Sequence, residues 1–302
     1  MKADYLSQDT EIKLLSVIVQ FLDTRNFIDI GAEKGAFAQC LLEKGLPGVL
    51  IEPLPAHQLT LTELVERNPG ARLLPFAISD SDADGELFIA KNSDGVELDH
   101  FHSLQKARAP GVFEHQMSIP VRCRSLSSLK EEGLIPDFIG ILKIDTEGND
   151  LRVLKGMGSL RPEIVVCEYF SNEIYDGWTE SSADVIVRYM EELGYNKYLI
   201  TKRVSGLEFI GVMSTTCHDR QWGNLFFFKN ETFSDCLQEI NNIIRESEAM
   251  LVEQFNLLHI ELDKKEDVIK ELSHSSKERL DVIEMLDAEI KRLRIRNTKS
   301  PE

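Results

Sequence analysis

Residues 27–35 change within nine positions from an apolar strand to a glycine turn and then to a helix. The segment reads Phe-Ile-Asp-Ile-Gly-Ala-Glu-Lys-Gly, so a β-rich run stops at Gly31 and a helix is predicted to begin at Gly35. Strand, glycine turn and helix form the first half of a nucleotide-binding βαβ unit, in which glycines let a ligand approach the backbone. An ordinary β–α connection shows the same pattern, so the turn alone leaves both readings open.

A carboxylate follows at the place where such a unit would hold a ribose. The next apolar run, Val49-Leu50-Ile51, ends on Glu52, seventeen residues after Gly35. An acid at the tip of the second strand can accept hydrogen bonds from both ribose hydroxyls. Glu52 therefore favours a ligand site over an ordinary connection.

The charge of the turn indicates which nucleotide it would bind. Asp29 and Glu33 alternate with the glycines, whereas the dinucleotide fingerprint has the spacing G-x-G-x-x-G. Two carboxylates repel a pyrophosphate but attract a sulfonium and an amino group. The turn therefore predicts S-adenosylmethionine rather than NAD, and a dehydrogenase is the less favoured alternative. The predicted binding residues are Asp29, Gly31, Glu33, Gly35 and Glu52.

Alternating strands and helices predict an α/β domain. An amphipathic helix is predicted over 9–22, and residues 92–118 are expected to be irregular. Strands are predicted at 27–30, 48–52, 71–79, 86–90, 138–144, 163–167, 197–201 and 225–228, and further helices at 35–44, 55–67, 151–157 and 184–193. Such alternation is typical of a mostly parallel sheet with helices on both faces.

A second group of acids follows two apolar strands. Asp145 and Glu147 come after the strand that ends at Ile144, and Glu168 comes after Cys167. Open α/β sheets bind ligands at the carboxyl ends of their strands, so we expect these acids beside the glycine turn. Three acids in one place require a nearby cation, either the sulfonium or a metal ion. Capping of the following helix is the alternative role for Asp145 or Glu147.

Together these segments resemble the FkbM-type methyltransferases, a family of class I S-adenosylmethionine-dependent enzymes. The resemblance spans roughly residues 25–230, and its most specific element is Lys-Ile-Asp-Thr-Glu-Gly at 143–148 followed by Leu-Lys-Gly at 154–156. The glycine turn, Ile-Glu-Pro at 51–53, Ala-Ile-Ser-Asp at 77–80 and Glu168 after an apolar strand complete it. The resemblance implies a Rossmann-like, doubly wound, mostly parallel seven-stranded sheet with one antiparallel strand. It also implies O-methylation of a sugar, glycan or secondary-metabolite hydroxyl.

The resemblance extends the set of site residues. It implies that Ser79 and Asp80 lie near the adenine and that Asp145 and Glu147 flank the methyl group and the acceptor. Two departures affect the acceptor side. Phe-His-Ser-Leu at 101–104 stands where the family often has paired serines, and Leu-Ser-Ser at 126–128 stands where it usually has Leu-Asp-Asp.

Methyl transfer to a hydroxyl requires alignment and a base. The sulfonium methyl is already activated, whereas a hydroxyl attacks well only when a base takes its proton. The candidates are Glu147, Asp145 and His102, and we predict Glu147 as the base or as the group that positions the acceptor. A solvent-exposed loop histidine is the alternative reading of His102. Carboxylate oxygens suit a hard cation, but the chain contains no compact ligand motif, so no metal is predicted.

Composition limits the compartment and the partners. The net charge is −17 without a basic cluster before the C-terminal end, which argues against a nucleic-acid partner. Acidic residues near the N-terminus argue against a signal peptide, and no apolar run is long enough for a membrane span. Scattered cysteines are typical of reduced thiols in a cytoplasmic protein. The cysteines are Cys40, Cys123, Cys167, Cys217 and Cys236.

The last seventy residues carry a heptad repeat. From Ile244, two interleaved seven-residue series are apolar at eleven of fifteen positions. This pattern predicts a coiled coil that forms a homodimer or binds a helical partner through 240–296, and a long helix that folds back is the alternative. The predicted organisation is an N-terminal helix at 1–24, a methyltransferase domain at 25–232, the coiled coil at 236–296 and a disordered tail at 297–302. A non-catalytic coiled-coil scaffold with a nucleotide-like ligand is the alternative function.

Overall fold

A computed structural model describes residues 4–171, 175, 176, 178, 180–204, 207–213 and 221–297. The chain divides into two compact units, Met1–Ser247 and Glu248–Glu302. The helices are α1 (Asp4–Ile18), α2 (Ala36–Glu43), α3 (Pro55–Arg67), α4 (Leu126–Glu131), α5 (Asp150–Lys155), α6 (Ala183–Glu192) and α7 (Asn230–Asn297). The strands are β1 (Phe27–Ile30), β2 (Gly48–Ile51), β3 (Ala71–Leu74), β4 (Ala77–Ile78), β5 (Ala83–Lys91), β6 (Arg108–Ala109), β7 (Phe113–Arg124), β8 (Ile141–Ile144), β9 (Ile164–Phe170), β10 (Lys197–Val204), β11 (Leu207–Val212) and β12 (Trp222–Phe228).

The main sheet has the strand order β11-β10-β12-β9-β8-β1-β2-β3. The five strands from β9 to β3 are parallel, and β12, β10 and β11 pair antiparallel with their neighbours. The predicted α/β class with a mostly parallel sheet is confirmed. The sheet has eight strands rather than the seven that the family resemblance implies. The additional strand is β11, an edge strand that is not predicted because Gly211 interrupts its apolar run.

A smaller sheet contains β4, β5, β6 and β7. The predicted single strand over 71–79 is wrong, because the chain leaves the main sheet at Pro75 and re-enters pairing as β4 beside β7. Proline has no N–H to donate to a continuing ladder. The expectation that 92–118 is irregular is also wrong in its last part, where β7 begins at Phe113. Pro120 hides this strand from sequence reasoning, since proline is rare inside strands.

Helices cover both faces of the main sheet. On one face, α4, α5 and α6 pack against alternate residues of the strands, including Ile28 and Ile30. On the other face, α1, α2 and the beginning of α7 pack against the intervening residues, including Phe27. Because β1, β2 and β8 are buried along their whole length, the polar residues that follow them mark the edge where ligands can enter.

Helix α7 contributes to each unit separately. In the first unit, Phe233, Cys236, Ile240 and Ile243 are buried in the core, so the predicted coiled coil at 236–296 begins inside packed structure. In the second unit, the described apolar side chains Val252, Ile260, Ile269 and Leu272 are exposed, together with others. The coiled coil itself stays a prediction. Apart from Asn297, the predicted tail lies outside the described residues.

Two further sequence predictions concern single residue types and apolar runs. Four cysteines are free, and Cys217 lies outside the described residues. Among the helices that the structure describes, none combines the length and the apolar character that a membrane crossing needs.

Candidate functional site

A cavity of about 200 Å³ lies at the carboxyl edge of the main sheet, within the first unit. The structure brings most of the predicted site residues to its wall. These are Gly31, Glu33, Glu52, His102, Asp145 and Glu147. Residues that the sequence analysis did not select complete the wall, among them Glu11, Phe37, His57, Phe76, Ala77, Ile78, Asp99, His100, Ser103 and Lys143.

Four predicted site residues do not line the cavity, namely Asp29, Gly35, Ser79 and Asp80. Ser79 is buried, and its backbone N–H donates to the Arg124 carbonyl at 2.9 Å. The three residues before it, 76–78, line the cavity instead. The segment implied by the family resemblance is therefore adjacent to the cavity, but its apolar part is the part that faces it.

The glycines of the first turn are needed for packing inside the protein. Gly31 has a φ of +73°, and an added Cβ would lie 1.8 Å from the Asp145 carbonyl oxygen. At Gly35, which has a φ of +83°, a Cβ would lie 2.7 Å from a Leu64 methyl carbon and 2.9 Å from one of Leu61. The predicted role of these glycines, which is to let a ligand approach the backbone, stays a prediction. In the structure both also make close contacts, Gly31 with the residue that follows β8 and Gly35 with α3.

Glu52 is fixed by the backbone around it. Its side chain is buried, with Oε2 accepting the Glu33 N–H at 2.9 Å and Oε1 accepting the Leu54 N–H at 2.8 Å. The Gly31 N–H donates to the Ile51 carbonyl at 3.0 Å, which holds the first turn against β2. Each carboxylate oxygen has a second lone pair, so Glu52 can still accept hydroxyl donors from a ligand in the cavity.

Asp99 and His100, in the segment after β5, contact charged side chains of the glycine turn. The Lys34 ammonium lies 2.5 Å from Asp99, and His100 Nδ1 lies 3.5 Å from Glu33 Oε2. The contact with His100 lowers the pKa of Glu33, and the contact with Lys34 lowers the pKa of Asp99. Burial lowers the pKa of His57, but the carboxylates of Glu52, Asp99 and Glu33 outweigh this effect, so the pKa is raised. The carboxylates of Glu33 and Asp99 therefore have basic side chains as partners.

Beneath the cavity, Asp29 and Lys143 form a buried pair on neighbouring strands. They are register partners in β1 and β8, and Lys143 Nζ lies 3.6 Å from Asp29 Oδ1 and 3.0 Å from Asp145 Oδ2. Neither oxygen of Asp29 accepts a hydrogen bond from any described residue. Burial raises the pKa of Asp29 to about 6, although Lys143 opposes the shift. One ammonium thus serves two carboxylates.

His102 is buried, and its two ring nitrogens differ in their contacts. Nδ1 accepts the Ala90 N–H at 3.1 Å, so the neutral ring carries its proton on Nε2. Nε2 lies 3.4 Å from Glu97 Oε1 and makes no hydrogen bond to a described residue. Burial lowers the pKa of His102. The alternative reading as a solvent-exposed histidine does not describe the structure, in which the residue is 9% exposed. A base needs a free lone pair, and in this conformation His102 offers none.

The predicted acids of β8 and β9 come together, and of the three only Asp145 and Glu147 line the cavity. Carboxylate oxygens of Asp145, Glu147 and Glu168 all lie within 4.8 Å of one another. Strand β9 continues to Phe170, so Glu168 lies within the strand rather than after it as predicted. Burial and then the charge of Asp145 raise the pKa of Glu147, and burial and then Glu147 raise the pKa of Glu168.

Asp150 supports this cluster from behind. Its Oδ2 accepts the Thr146 N–H at 3.2 Å and the Thr146 hydroxyl at 2.8 Å, and its Oδ1 accepts the Glu168 N–H at 3.0 Å. Burial and Asp145 raise its pKa to about 7. The N-cap of α5 is Asn149, without a side-chain cap bond, so neither Asp145 nor Glu147 caps this helix.

The sequence analysis did not select several charged or titratable residues of the cavity wall, among them Lys143, His57 and Asp99. The sequence does contain a signal for Lys143, because a charged residue inside an otherwise apolar strand needs a buried partner of opposite charge. His57 and Asp99 carry no such signal, because a histidine in the first turn of α3 and an acid in a loop are ordinary at those places.

One protein family and several solved structures are similar to this chain. The family model for the methyltransferase FkbM domain matches residues 29–197, more than half of the chain. No curated protein matches the chain. A solved methyltransferase FkbM from Methylobacillus flagellatus KT is 15% identical, with a TM-score of 0.40 over 68% of this chain and 44% of that one. The chain therefore spans less than half the length of that protein.

Two further solved structures are similar to the chain. An O-methyltransferase from Bacillus cereus in complex with SAH is 15% identical, with a TM-score of 0.38 over 74% of this chain and 80% of that one. Precorrin-6y C5,15-methyltransferase from Geobacter metallireducens GS-15 is 10% identical, with a TM-score of 0.36 over 74% of this chain and 88% of that one.

Proposed function

Because the chain belongs to the FkbM methyltransferase family, we propose that it transfers a methyl group from S-adenosylmethionine to a hydroxyl of a sugar, glycan or secondary metabolite. The observation that carries this proposal is the cavity at the carboxyl edge of the sheet. One side of it presents a fixed carboxylate, Glu52, and the opposite side presents the acids Asp145 and Glu147. This arrangement suits a donor with hydroxyls at one end and a positive charge at the other.

The residues of the cavity fit the donor part by part. Glu52 would accept the ribose hydroxyls, and the apolar wall of Phe76, Ala77 and Ile78 would cover the adenine. Asp145 and Glu147 would lie at the end of the cavity where the donor presents its methyl group. When bound, S-adenosylmethionine supplies a methyl group on a sulfonium leaving group. The protein then has to align the acceptor and remove its proton.

Glu147 is the residue we assign to the acceptor. Its pKa is raised by burial and by Asp145, which makes its carboxylate a stronger proton acceptor than an exposed glutamate. The residue has a φ of 52°, in the left-handed region, and the Ser103 hydroxyl donates to its carbonyl at 2.6 Å. This hydrogen bond connects the loop that follows β8 to the segment 99–104, which also lines the cavity. Since His102 has no free lone pair, the proposal gives it no acid–base role.

The donor proposal is tested by calorimetric titration with S-adenosylmethionine, S-adenosylhomocysteine and NAD. We expect micromolar binding of the first two and none of NAD. Glu52→Gln removes the charge and one acceptor, so donor affinity should fall about tenfold or more. Glu63→Gln on the exposed face of α3 is the matched control and should bind as the unaltered chain does.

Two results would contradict this assignment. Unchanged affinity in Glu52→Gln would remove Glu52 from the donor site. Absence of binding by all three ligands would favour the non-catalytic scaffold instead.

We also propose that the second unit forms a parallel coiled-coil dimer. The support is the heptad pattern, in which Ile269 and Leu272 occupy successive seam positions and are exposed. Truncation after Ser247 preserves the buried residues 233–243 of α7 and should yield a folded monomer. Light scattering measures the mass, and a truncated protein that stays dimeric would contradict the coil assignment.

A further inference from the structure

Three carboxylates from two neighbouring strands meet beside the cavity, and two of them, Asp145 and Glu147, line its wall. Asp145 and Glu147 follow β8, and Glu168 belongs to the adjacent parallel strand β9. Each contributes an oxygen to a group whose members lie within 4.8 Å of one another. Parallel strands place these residues together because their carboxyl ends reach the same edge of the sheet.

The positive charge nearby is already committed. Lys143 Nζ contacts Asp145 Oδ2 at 3.0 Å and Asp29 Oδ1 at 3.6 Å. Within the part of the chain that the structure describes, no lysine, arginine or histidine nitrogen comes within ion-pair distance of Glu147 or Glu168. Like charges this close strongly favour an added cation or proton.

An unpartnered atom is the second, independent observation. Glu168 is 8% exposed, and its Oε2 is buried without a hydrogen-bond donor among the described residues. Neighbouring Asp150, by contrast, has donors on both oxygens. Buried carboxylate oxygens are normally satisfied, so this one indicates a group that binds there. The carboxylate faces Asp145 and Glu147, since one of its oxygens belongs to the cluster.

The spacing is compatible with one metal ion. Oxygens around one Mg²⁺ or Ca²⁺, at bond lengths of about 2.1 to 2.5 Å, are separated by roughly 3 to 5 Å. The oxygens of the three carboxylates lie no more than 4.8 Å apart, so a single ion can contact all three.

We propose that Asp145, Glu147 and Glu168 form a binding site for one divalent cation that prefers oxygen ligands, such as Mg²⁺ or Ca²⁺. The free oxygen of Asp145 and one oxygen from each glutamate supply the protein ligands. A cation here would face the cavity, where it could bind an acceptor oxygen and make its proton easier to remove. Glu147 would then position the acceptor through the ion. This catalytic role rests on the proposed function, but the binding of the cation does not.

The test is a titration of the full chain with Mn²⁺ alone, after removal of divalent cations by a chelator. Calorimetry or the loss of the free-Mn²⁺ resonance signal measures the binding. We expect one saturable site that Mg²⁺ or Ca²⁺ displaces, and affinity at least tenfold lower in Glu168→Gln. The chain has a net charge of −17, so weak general attraction of cations is also expected. Glu86→Gln, on the exposed surface of β5, removes the same charge elsewhere and should bind as the unaltered chain does.

Other results would overturn the site. Absence of saturable binding does so, as does equal affinity in Glu168→Gln and Glu86→Gln. Glu147→Gln is an independent variant for the case in which Glu168→Gln does not fold, and unchanged affinity in it would likewise overturn the proposal. Since no donor is present in this titration, failure of the cation site and failure of the donor site give separate results.

Discussion

Glu52 and Glu168 lie at the same edge of the main sheet, three strands apart, yet their surroundings differ. Glu52 has a backbone N–H on each oxygen. Glu168 has an oxygen without any donor among the described residues. The same contrast extends to their neighbours. Contact with His100 lowers the pKa of Glu33, whereas desolvation and the charge of Asp145 raise the pKa of the half-buried Glu147.

This difference separates two kinds of site. The half around Glu52 and Glu33 has a partner for each carboxylate without a ligand, so these side chains are held in fixed positions. Such a half is suited to recognise hydroxyl groups with little reorganisation. In the half around Asp145, Glu147 and Glu168, the Lys143 ammonium contacts Asp145 and is shared with Asp29, so a bound cation would stabilise this half. We therefore assign recognition of the donor to the first half and the charged part of the chemistry to the second.

We expect the largest effect from a substitution that disrupts the close contact between Gly31 and Asp145. Gly31→Ala would force a Cβ to within 1.8 Å of the Asp145 carbonyl oxygen at a φ of +73°. Strain of the backbone and overpacking together should lower the free energy of unfolding by about 3 kcal/mol or more. Urea denaturation monitored by circular dichroism measures the change.

Gly45→Ala is the control for this substitution. Gly45 has a φ of +76°, but an added Cβ would meet nothing within 4 Å. It should therefore cost only about 1 kcal/mol from backbone strain. Equal losses in the two variants would show that the close approach of β1 to Asp145 contributes nothing.

The substitution with the intermediate effect is expected to stabilise the protein rather than to destabilise it. Glu168→Gln should stabilise the cation-free protein by about 1 to 2 kcal/mol at pH 8 and by nothing near pH 4. Burial and Glu147 raise the pKa of Glu168 above its ordinary 4.5, so the folded state binds more protons than the unfolded state above that value. The glutamate therefore costs stability as the pH rises, and glutamine does not. Urea midpoints between pH 4 and 8, measured with a chelator, test this, and a destabilised variant at pH 8 would contradict it.

The smallest effect has the opposite sign. Glu33→Gln should destabilise the protein by less than about 1 kcal/mol, because the pair with His100 is partly exposed. The contribution of Glu33 is present above pH 4.5 and is lost as the pH falls through its lowered pKa. That of His100 is present below pH 6.5 and is lost as the pH rises through its raised pKa. The cost of the substitution should peak between these values in the same urea experiments. Stabilisation at pH 8, as predicted for Glu168→Gln, would remove the contrast between the two halves.

Local patterns predicted the elements that present the site. The bounds of β1 and α3 agree with those read from the sequence, because apolar periodicity and the proline at the start of α3 are local signals. The position of Glu52 on the cavity wall follows from the same patterns. The strands β7 and β11 were missed because Pro120 and Gly211 interrupt patterns that only pairing with distant strands restores.

By itself, the order of residues determined which acids reach the carboxyl edge of the sheet. Strand periodicity and the turn that follows each strand are encoded within a few residues, and they place Glu52, Asp145 and Glu147 there. Only the tertiary structure decided which of these acids are neutralised. The pair Lys34–Asp99 joins residues 65 positions apart, and the unpartnered oxygen of Glu168 depends on β9 lying beside β8. Charge compensation acts through space at a few ångströms, so it depends on packing that no local pattern records.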